Sequence, residues 1–497
     1  SGKETASFTT DDDTSDFSFI FVGDPQIGSS NEEKAKTPED IQKPTFLTAQ
    51  SEAVRNDTFN WNYTLNRAYA KTGNTANFIL SSGDQIQTNA EKVQDGTISE
   101  TEYAGYLSPD LMKKVPVATT VGNHDADNAN YTYHFNPANM SELGDNGYVG
   151  GDYYFTYGDA LFIILNTQDT NVSEHKQFIE ETVNANKDCK WRIVTLHQDI
   201  YGSAEHSNEP EITNLRYSLV PIFEENDVDI VLTGHDHAYS RTKILKGGHS
   251  TTGFEYTDDE FDEQLDKDID VGDSTETIYE APANISDDTT DPDEQRYLEY
   301  LYSVMDDDAV QELTENQDTA INPDGIMYLT AGSSSGSKYY DLVPRQQTYI
   351  ASRWQQDVPT YSVIDVTENS LTLNTYRTDT DEPIDTQFTI VKSADHSQLT
   401  DLISQAESLS ANDYTEDSYN VMAQALEAAK EVNEDAQATE SELTNAYTAL
   451  KSAMDALVKV QAPSDKPSGG QDENQGGNPS GGSQNDTSDP SGSGQNT

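Results

Sequence analysis

The chain has little cysteine, little positive charge and no long apolar run. Its 497 residues include a single cysteine, Cys189, so no disulfide can form within one chain. Lys and Arg number 29 against 89 Asp and Glu, which gives a formal net charge of -60. Because such a chain repels phosphate backbones and anionic surfaces, we expect no nucleic-acid binding. No run of about 18 or more apolar residues is present, so we expect no membrane span in this chain.

Short apolar runs alternate with longer amphipathic segments up to residue 394. Runs such as "FSFIFVGD", "NFILSSGD" and "VDIVLTGHDH" end in Gly, Asp or His, and amphipathic segments lie at 45–71 and 173–187. Buried strands followed by helices predict an α/β fold with helices on the faces of a sheet. Residues 151–167 predict a β-hairpin. Late antiparallel strands are predicted at 361–366, 370–377 and 386–392.

Other segments lie outside this pattern. Residues 1–16 are polar and predict an extended lead-in. The acidic segment 247–322 predicts a surface insertion that is partly helical near 294–315. A calcium site there is an alternative, although its acidic runs lack the full EF-hand spacing. Residues 396–460 carry apolar residues at helical spacing and predict a three-helix bundle, whereas the Pro-, Gly- and Ser-rich residues 461–497 predict a flexible linker.

Polar residues follow five of the predicted strands, where open α/β sheets place their ligands. The set is Asp24, Asp84, Asn123, His197, His235 and His237. Oxygen and imidazole donors together suit Mn, Fe or Zn better than Mg or Ca. The two oxygens of Asp84 can bridge two ions. In "GHDH", the spacing of His235 and His237 on an extended segment directs both imidazoles to one side. The sequence therefore predicts two divalent transition metal ions.

The order D, GD, GNHD, H, GHxH resembles the calcineurin-type metallophosphoesterase superfamily. "GHDHAYSR" and "HQDIYGSAEH" are most similar to the purple acid phosphatase branch, and the resemblance spans about residues 17–392, within a catalytic domain placed at 17–394. It implies a four-layer α/β/β/α sandwich with a dinuclear metal site. The implied ligands are Asp24, Asp84 and His237 for metal 1, and Asp84, Asn123, His197 and His235 for metal 2.

The resemblance also implies a mechanism, in which a metal-bound hydroxide attacks a phosphate ester. His124 would stand beside metal 2 and protonate the leaving oxygen, with Asp125 orienting its imidazole. His206 matches a substrate-contacting histidine and is assigned to phosphate contact. Tyr239 and Arg241 are assigned to support of the site.

Two positions depart from the resemblance. Gln87 stands where the purple acid phosphatase branch has a tyrosine, and Gln26 stands where other branches have a histidine. Without the tyrosinate, we predict a colourless enzyme that holds divalent ions, with Gln26 as a weak oxygen ligand of metal 1.

The two ends of the chain carry further resemblances. "NDYTEDSYNVMAQALEAA" and "ATESELTNAYTAL" resemble the FIVAR module, and "ASFTT" resembles the last strand of a fibronectin type III-like domain that would precede residue 1. The likeness to FIVAR implies an extracellular bacterial protein. The long polar linker 461–497 is typical of a protein tethered to a cell surface, here through a C-terminal anchor absent from this sequence. The bundle would be either a spacer or an attachment that contacts glycan, protein or cell wall.

Three functions remain open. The first is hydrolysis of phosphate monoesters at a cell surface. The alternative enzyme is a phosphodiesterase acting on cyclic nucleotides, glycerophosphodiesters or wall polymers, because the ligand set is nearly the same for both. The third is a surface adhesin whose catalytic domain has decayed. The filled ligand positions favour an enzyme over the adhesin.

Overall fold

The computed structural model describes residues 14–33, 38–87, 97–126, 130–248, 256–269, 283–313, 318–435 and 438–460. The predicted linker 461–497 and nearly all of the lead-in lie outside these residues, and so do three stretches of the acidic insertion.

The strands of the described residues form two seven-stranded sheets. Sheet A has the spatial order β3 (Val117–Thr119), β2 (Phe78–Ser81), β1 (Phe17–Val22), β12 (Thr360–Val366), β13 (Ser370–Arg377), β14 (Phe388–Val391) and β9 (Thr319–Ile321). Sheet B has the order β11 (Ile350–Trp354), β8 (Tyr239–Thr242), β10 (Met327–Thr330), β7 (Ile230–Thr233), β6 (Trp191–Thr195), β5 (Ala160–Ile164) and β4 (Tyr153–Tyr157). β1, β2 and β3 are parallel, as are β5, β6, β7 and β10. The hairpin and the late antiparallel strands are confirmed.

The inner faces of the two sheets pack on each other through aromatic side chains. Phe19 and Phe78 of sheet A stack with ring centroids 5.0 Å apart, and Phe162 of sheet B meets Phe19 edge-on at 5.4 Å. All three side chains are at most 5% exposed. Aromatic pairs in these geometries add stability beyond the apolar area they bury. This core fixes the sheets face to face, so that loops from both sheets can meet at one edge.

Helices cover the outer face of each sheet. α2 (Pro44–Lys71) packs Trp61 and Leu65 against sheet A, where α3 (Thr97–Leu107) also lies. α5 (Val172–Ala185) and α6 (Pro210–Glu225) pack Phe178 and Leu219 against sheet B. Two short helices, α1 (Pro38–Ile41) and α4 (Asn130–His134), belong to connecting loops. The predicted α/β/β/α sandwich is thereby confirmed.

The acidic insertion differs from its prediction in two respects. Its helices α7 (Asp258–Asp268) and α8 (Pro292–Ser303) share an apolar core that includes Phe261, Leu265 and Tyr297, so the segment is not merely a solvated surface. Its last residues form β9, which pairs with β14 in sheet A. Ala320 of β9 is 1% exposed in the core between the sheets. The predicted end of the insertion at residue 322 is therefore wrong, because β9 already belongs to sheet A. A strand of three residues is too short to show the alternation that identifies a strand in a sequence.

A separate apolar cluster holds the three C-terminal helices together. α9 (Ser397–Glu407), α10 (Glu416–Glu434) and α11 (Glu440–Asp455) bury Leu402, Met422 and Leu450 among them. α11 begins at a capping box in which Thr439 and Glu442 satisfy each other's backbone N–H groups. The predicted bundle is confirmed. Among the described helices, none combines the length and apolar character needed to cross a bilayer.

Candidate metal centre

The predicted ligands lie at the carboxyl ends of strands from both sheets. Asp24 and Asp84 follow β1 and β2 of sheet A, while His197 and His235 follow β6 and β7 of sheet B. Asn123 lies in the loop after β3. The face-to-face packing of the sheets brings these loops to one edge, as expected for ligand sites of α/β sheets.

Three side chains form the first group of ligand atoms. Asp24, Asp84 and His237 each offer one atom, and these atoms all lie within 4.8 Å of one another. All three residues are buried. His237 Nδ1 donates a hydrogen bond to the carbonyl oxygen of Lys338 at 2.9 Å, and its Nε2 lies 3.7 Å from Asp24 Oδ1. A carbonyl that accepts from one ring nitrogen leaves the other as the ligand atom.

Gln26 lies beside this group with an unsatisfied oxygen. Its amide nitrogen donates to Gln87 Oε1 at 2.9 Å, whereas its own Oε1 is buried without a hydrogen-bond partner. Leaving a buried acceptor unsatisfied costs about 1–3 kcal/mol. A cation would satisfy this oxygen, so the residues present fit a metal ion.

Four side chains form the second group, centred on His197. Its Nε2 lies 3.0 Å from Asn123 Oδ1, 3.2 Å from His235 Nδ1 and 3.4 Å from Asp84 Oδ2. Ligand atoms around a tetrahedral ion at about 2.1 Å are separated by about 3.4 Å. His197 Nδ1 donates to the carbonyl oxygen of Ser82 at 2.9 Å, which directs Nε2 toward the other donors. This spacing also fits a metal ion, and Asp84 belongs to both groups.

Burial and charge oppose each other in this cluster. Burial, together with the charge of Asp84, raises the pKa of Asp24 to about 8. Burial disfavours charge on His197, but Asp84 outweighs it and raises the pKa of His197 to about 9. Burial lowers the pKa of His237 to about 3, and the nearby charge of Lys338 acts in the same direction. Two buried carboxylates, the unprotonated imidazole of His237 and an imidazole of His197 that Asp84 holds by its charge make a site suited to cations.

The ligand loops adopt backbone conformations that L-residues seldom take. Asp24, Gln26, Asp84, His235 and His237 have φ between 35° and 72°. Such residues cost about 1–3 kcal/mol each and cluster at functional sites. The expected extended "GHDH" segment is therefore wrong. The left-handed backbone turns His235 toward His197 and His237 toward Asp24. The two imidazoles therefore join different groups of ligand atoms without an extended backbone.

Comparison with known proteins agrees with this geometry. Residues 17–239 match the family described as calcineurin-like phosphoesterase. This region is therefore similar to calcineurin-like phosphoesterase domains. Purple acid phosphatase 4 of Arabidopsis thaliana is 28% identical over 186 residues, covering 32% of this chain and 52% of that protein. Purple acid phosphatase 1 of Ipomoea batatas is 28% identical over 177 residues, covering 33% and 37%. The chain thus spans about half or less of these relatives' length.

A solved structure of purple acid phosphatase PPD1 from yellow lupin is similar at 13% identity. The TM-score is 0.45, and the match covers 76% of this chain and 54% of that one.

Within the matched region, His124 lies against the carboxylate of Asp84. Its backbone N–H donates to Asp84 Oδ1 at 2.9 Å, and its Nε2 lies 4.0 Å from Asp84 Oδ2. Its Nδ1 bonds the carbonyl oxygen of Gln87 at 2.7 Å. The expectation that Asp125 orients this imidazole is wrong, because Asp125 instead accepts the backbone N–H groups of Gly122 and Gln85. Asp125 is fully buried below the loop and shapes its backbone.

His206 borders the second group of ligands. Its ring centroid is 4.9 Å from that of His235, and Glu209 hydrogen-bonds its Nδ1. Asp236, between the two ligand histidines, accepts the backbone N–H of His206 at 3.0 Å. Asp236 therefore fixes the His206 loop to the ligand loop, a role that the sequence did not indicate.

Tyr340 and Lys338 are further residues of the site that the sequence did not indicate. The ring of Tyr340 meets His206 edge-on at 4.5 Å and His237 at 5.2 Å. The sequence signal for these two residues is weak, because "SKYYD" has the composition of an ordinary polar loop after β10. Its contact with His237 forms only in the folded chain.

Tyr239 and Arg241 lie away from the ligand atoms. The Tyr239 hydroxyl donates to Asp385 Oδ2 at 2.7 Å, and Arg241 Nε donates to the same oxygen at 2.6 Å. Asp385 lies between β13 and β14 of sheet A, whereas both partners lie on β8 of sheet B. These bonds join the two sheets, so any support that the pair gives to the site acts through the sandwich.

Proposed function

We propose that the protein is a phosphate monoester hydrolase that uses two divalent transition metal ions, Fe, Mn or Zn. One observation carries this proposal: two sets of oxygen and nitrogen donors converge and share Asp84. The match of residues 17–239 to calcineurin-like phosphoesterases supports the same reaction class. The likeness to purple acid phosphatases favours the monoester reading over the diester one.

The chain's own residues have distinct tasks in this reaction. When bound, divalent cations supply the Lewis acidity that activates water and neutralises charge on the phosphoryl oxygens. His206, beside His235, contacts the phosphate. His124 holds Nδ1 against the Gln87 carbonyl, so its Nε2 is the atom that delivers a proton to the leaving oxygen. The filled ligand set leaves little reason to favour a decayed adhesin.

The substrate class can be tested with two chromogenic esters. We expect kcat/KM for p-nitrophenyl phosphate to exceed that for bis-(p-nitrophenyl) phosphate by at least about tenfold, since 1.4 kcal/mol of preferential binding gives that ratio. Steady-state rates of the metal-loaded full chain supply the measurement. A reversed ratio would establish the diesterase alternative. Hydrolysis of neither ester, despite full metal content, would favour the adhesin.

We further propose that the enzyme acts outside the cell and that the C-terminal bundle is an attachment or spacer. Support comes from the bundle's separate apolar core and from the Pro-, Gly- and Ser-rich residues that follow it. The full chain and a chain ending at residue 394 should have the same kcat/KM, because the ligands lie before residue 240. If the bundle is an attachment, only the full chain should pellet with purified bacterial cell walls. Equal pelleting of both chains would leave the bundle as a spacer.

A further inference from the structure

The loop of residues 331–341 places the ammonium group of Lys338 at the wall of the metal centre. Lys338 Nζ hydrogen-bonds the Tyr340 hydroxyl and lies 4.3 Å from the centre of its ring. That ring packs edge-on against His206, which borders the second group of ligand atoms, and against His237, which belongs to the first group. The ammonium group is thus held next to the aromatic side chain that contacts both the proposed phosphate-binding histidine and a metal ligand.

The backbone of this loop is fastened to the ligand loops. The carbonyl oxygen of Lys338 accepts a hydrogen bond from His237 Nδ1 at 2.9 Å. The hydroxyl of Ser335 donates to the carbonyl oxygen of Pro25 at 2.5 Å, and the backbone N–H of Ser334 donates to the carbonyl oxygen of Gly23 at 2.9 Å. Both partners flank Asp24 in the sequence. The lysine therefore extends from a base that is positioned by the metal ligands themselves, which suits a residue that must meet substrate at a defined place.

The chemistry of this pair matches an anion with more than one charge. Lys338 donates to the oxygen of Tyr340, so the tyrosine keeps its own proton for donation to a second acceptor. The nearby side chains of Asp24, Asp84 and Glu205 are carboxylates, and they disfavour an anion unless cations offset them. A phosphate monoester carries about two negative charges near neutral pH, whereas a diester carries one.

We propose that Lys338, positioned by Tyr340, is a specificity-determining residue that selects the doubly charged phosphate monoester over the diester. The inference rests on the proposed phosphoesterase function and adds a residue that discriminates substrates. The ammonium binds a phosphoryl oxygen that a diester replaces with an esterified, uncharged one. Charge-assisted hydrogen bonds of this kind are stronger than neutral ones and contribute to discrimination.

Replacement of Lys338 by glutamine tests the proposal. We expect Lys338→Gln to lower kcat/KM for p-nitrophenyl phosphate by about 30-fold, the loss typical of one hydrogen bond to a charged group. The value for bis-(p-nitrophenyl) phosphate should change by less than about threefold. Lys338→Arg should retain the preference for the monoester. Lys246→Gln removes the same charge from the Asp324 ion pair on the surface and serves as the control, with both rates unchanged.

Binding of inorganic phosphate separates this proposal from the proposed function. Calorimetry on the metal-loaded protein should show about 30-fold weaker phosphate binding for Lys338→Gln, with metal content equal to that of the parent chain. Equal losses on both esters, or unchanged phosphate binding, would overturn the role of Lys338. Hydrolysis of neither ester by the parent chain would instead remove the proposed function, while the phosphate measurement would still decide whether Lys338 binds a multiply charged anion.

Discussion

Replacing Asp84 by asparagine is expected to lower kcat/KM for phosphate ester hydrolysis by at least about 1,000-fold, more than the loss typical of a residue that only supports a metal ligand. Asp84 is shared by both groups of ligand atoms, and its Oδ2 lies 3.4 Å from His197 Nε2. An amide keeps the shape of the side chain and can still accept the His124 N–H, but it lacks the negative charge that would hold the two cations of the proposed function. The measurement is steady-state hydrolysis together with metal content by elemental analysis.

Asparagine is chosen because the backbone of Asp84 is left-handed. Its φ is 46°, a region that Asp and Asn tolerate better than most residues, whereas alanine would add strain. The matched control is Asp227→Asn, where φ is 48° and the side chain is 86% exposed. This variant should keep full activity. Activity of Asp84→Asn within about tenfold of the parent chain would contradict the site assignment.

The convergence of the proposed ligands could be predicted in part because most of them follow a buried strand. The apolar run before Asp24 or His197 identifies a strand of the core, and parallel strands in one sheet bring their carboxyl ends together. This argument places Asp24 beside Asp84 in sheet A, whereas His197 follows a strand of sheet B and joins them only because the two sheets pack face to face. The aromatic core between the sheets, such as Phe19 of sheet A on Phe162 of sheet B, holds these two edges together.

The remaining features depend on contacts between distant segments. The bond between His237 and the carbonyl of Lys338 joins residues that are 101 positions apart, and no local pattern encodes it. The left-handed φ of His237 accompanies that bond, and the buried Asp125 accepts the N–H of Gln85, which lies 40 positions away. A prediction from residue spacing assumes a regular backbone. It therefore gives an extended form to "GHDH", whereas His235 and His237 have left-handed φ values in the folded protein.

Removal of the metal ions is expected to abolish hydrolysis and to lower the thermal stability of the protein. Asp24 and Asp84 are at most 1% exposed, and both carry oxygens in the same group of ligand atoms. Cations stabilise the charged form of these buried carboxylates. Without cations, burial and the charge of Asp84 raise the pKa of Asp24 to about 8, so the folded chain loses the free energy of metal binding. At a free metal concentration of 100 times Kd, one site present only in the folded chain contributes about 2.7 kcal/mol. Chelation should therefore lower Tm by several degrees, as measured by calorimetry.

Reloading the chelated protein with Mn²⁺, Fe²⁺ or Zn²⁺ should restore Tm, and at least one of these ions should restore hydrolysis. The reloaded protein should lack a strong visible absorption band, since Gln87 occupies the position at which a tyrosinate would give one.

Gln26→Ala should make inactivation occur at about tenfold lower chelator concentration, because it removes the buried Oε1 that a cation would satisfy. Gln26→Glu keeps an oxygen donor and should resist chelation at least as well as the parent chain. If Gln26→Ala and the parent chain release metal at the same chelator concentration, Gln26 is not a ligand, and its unsatisfied oxygen has another cause.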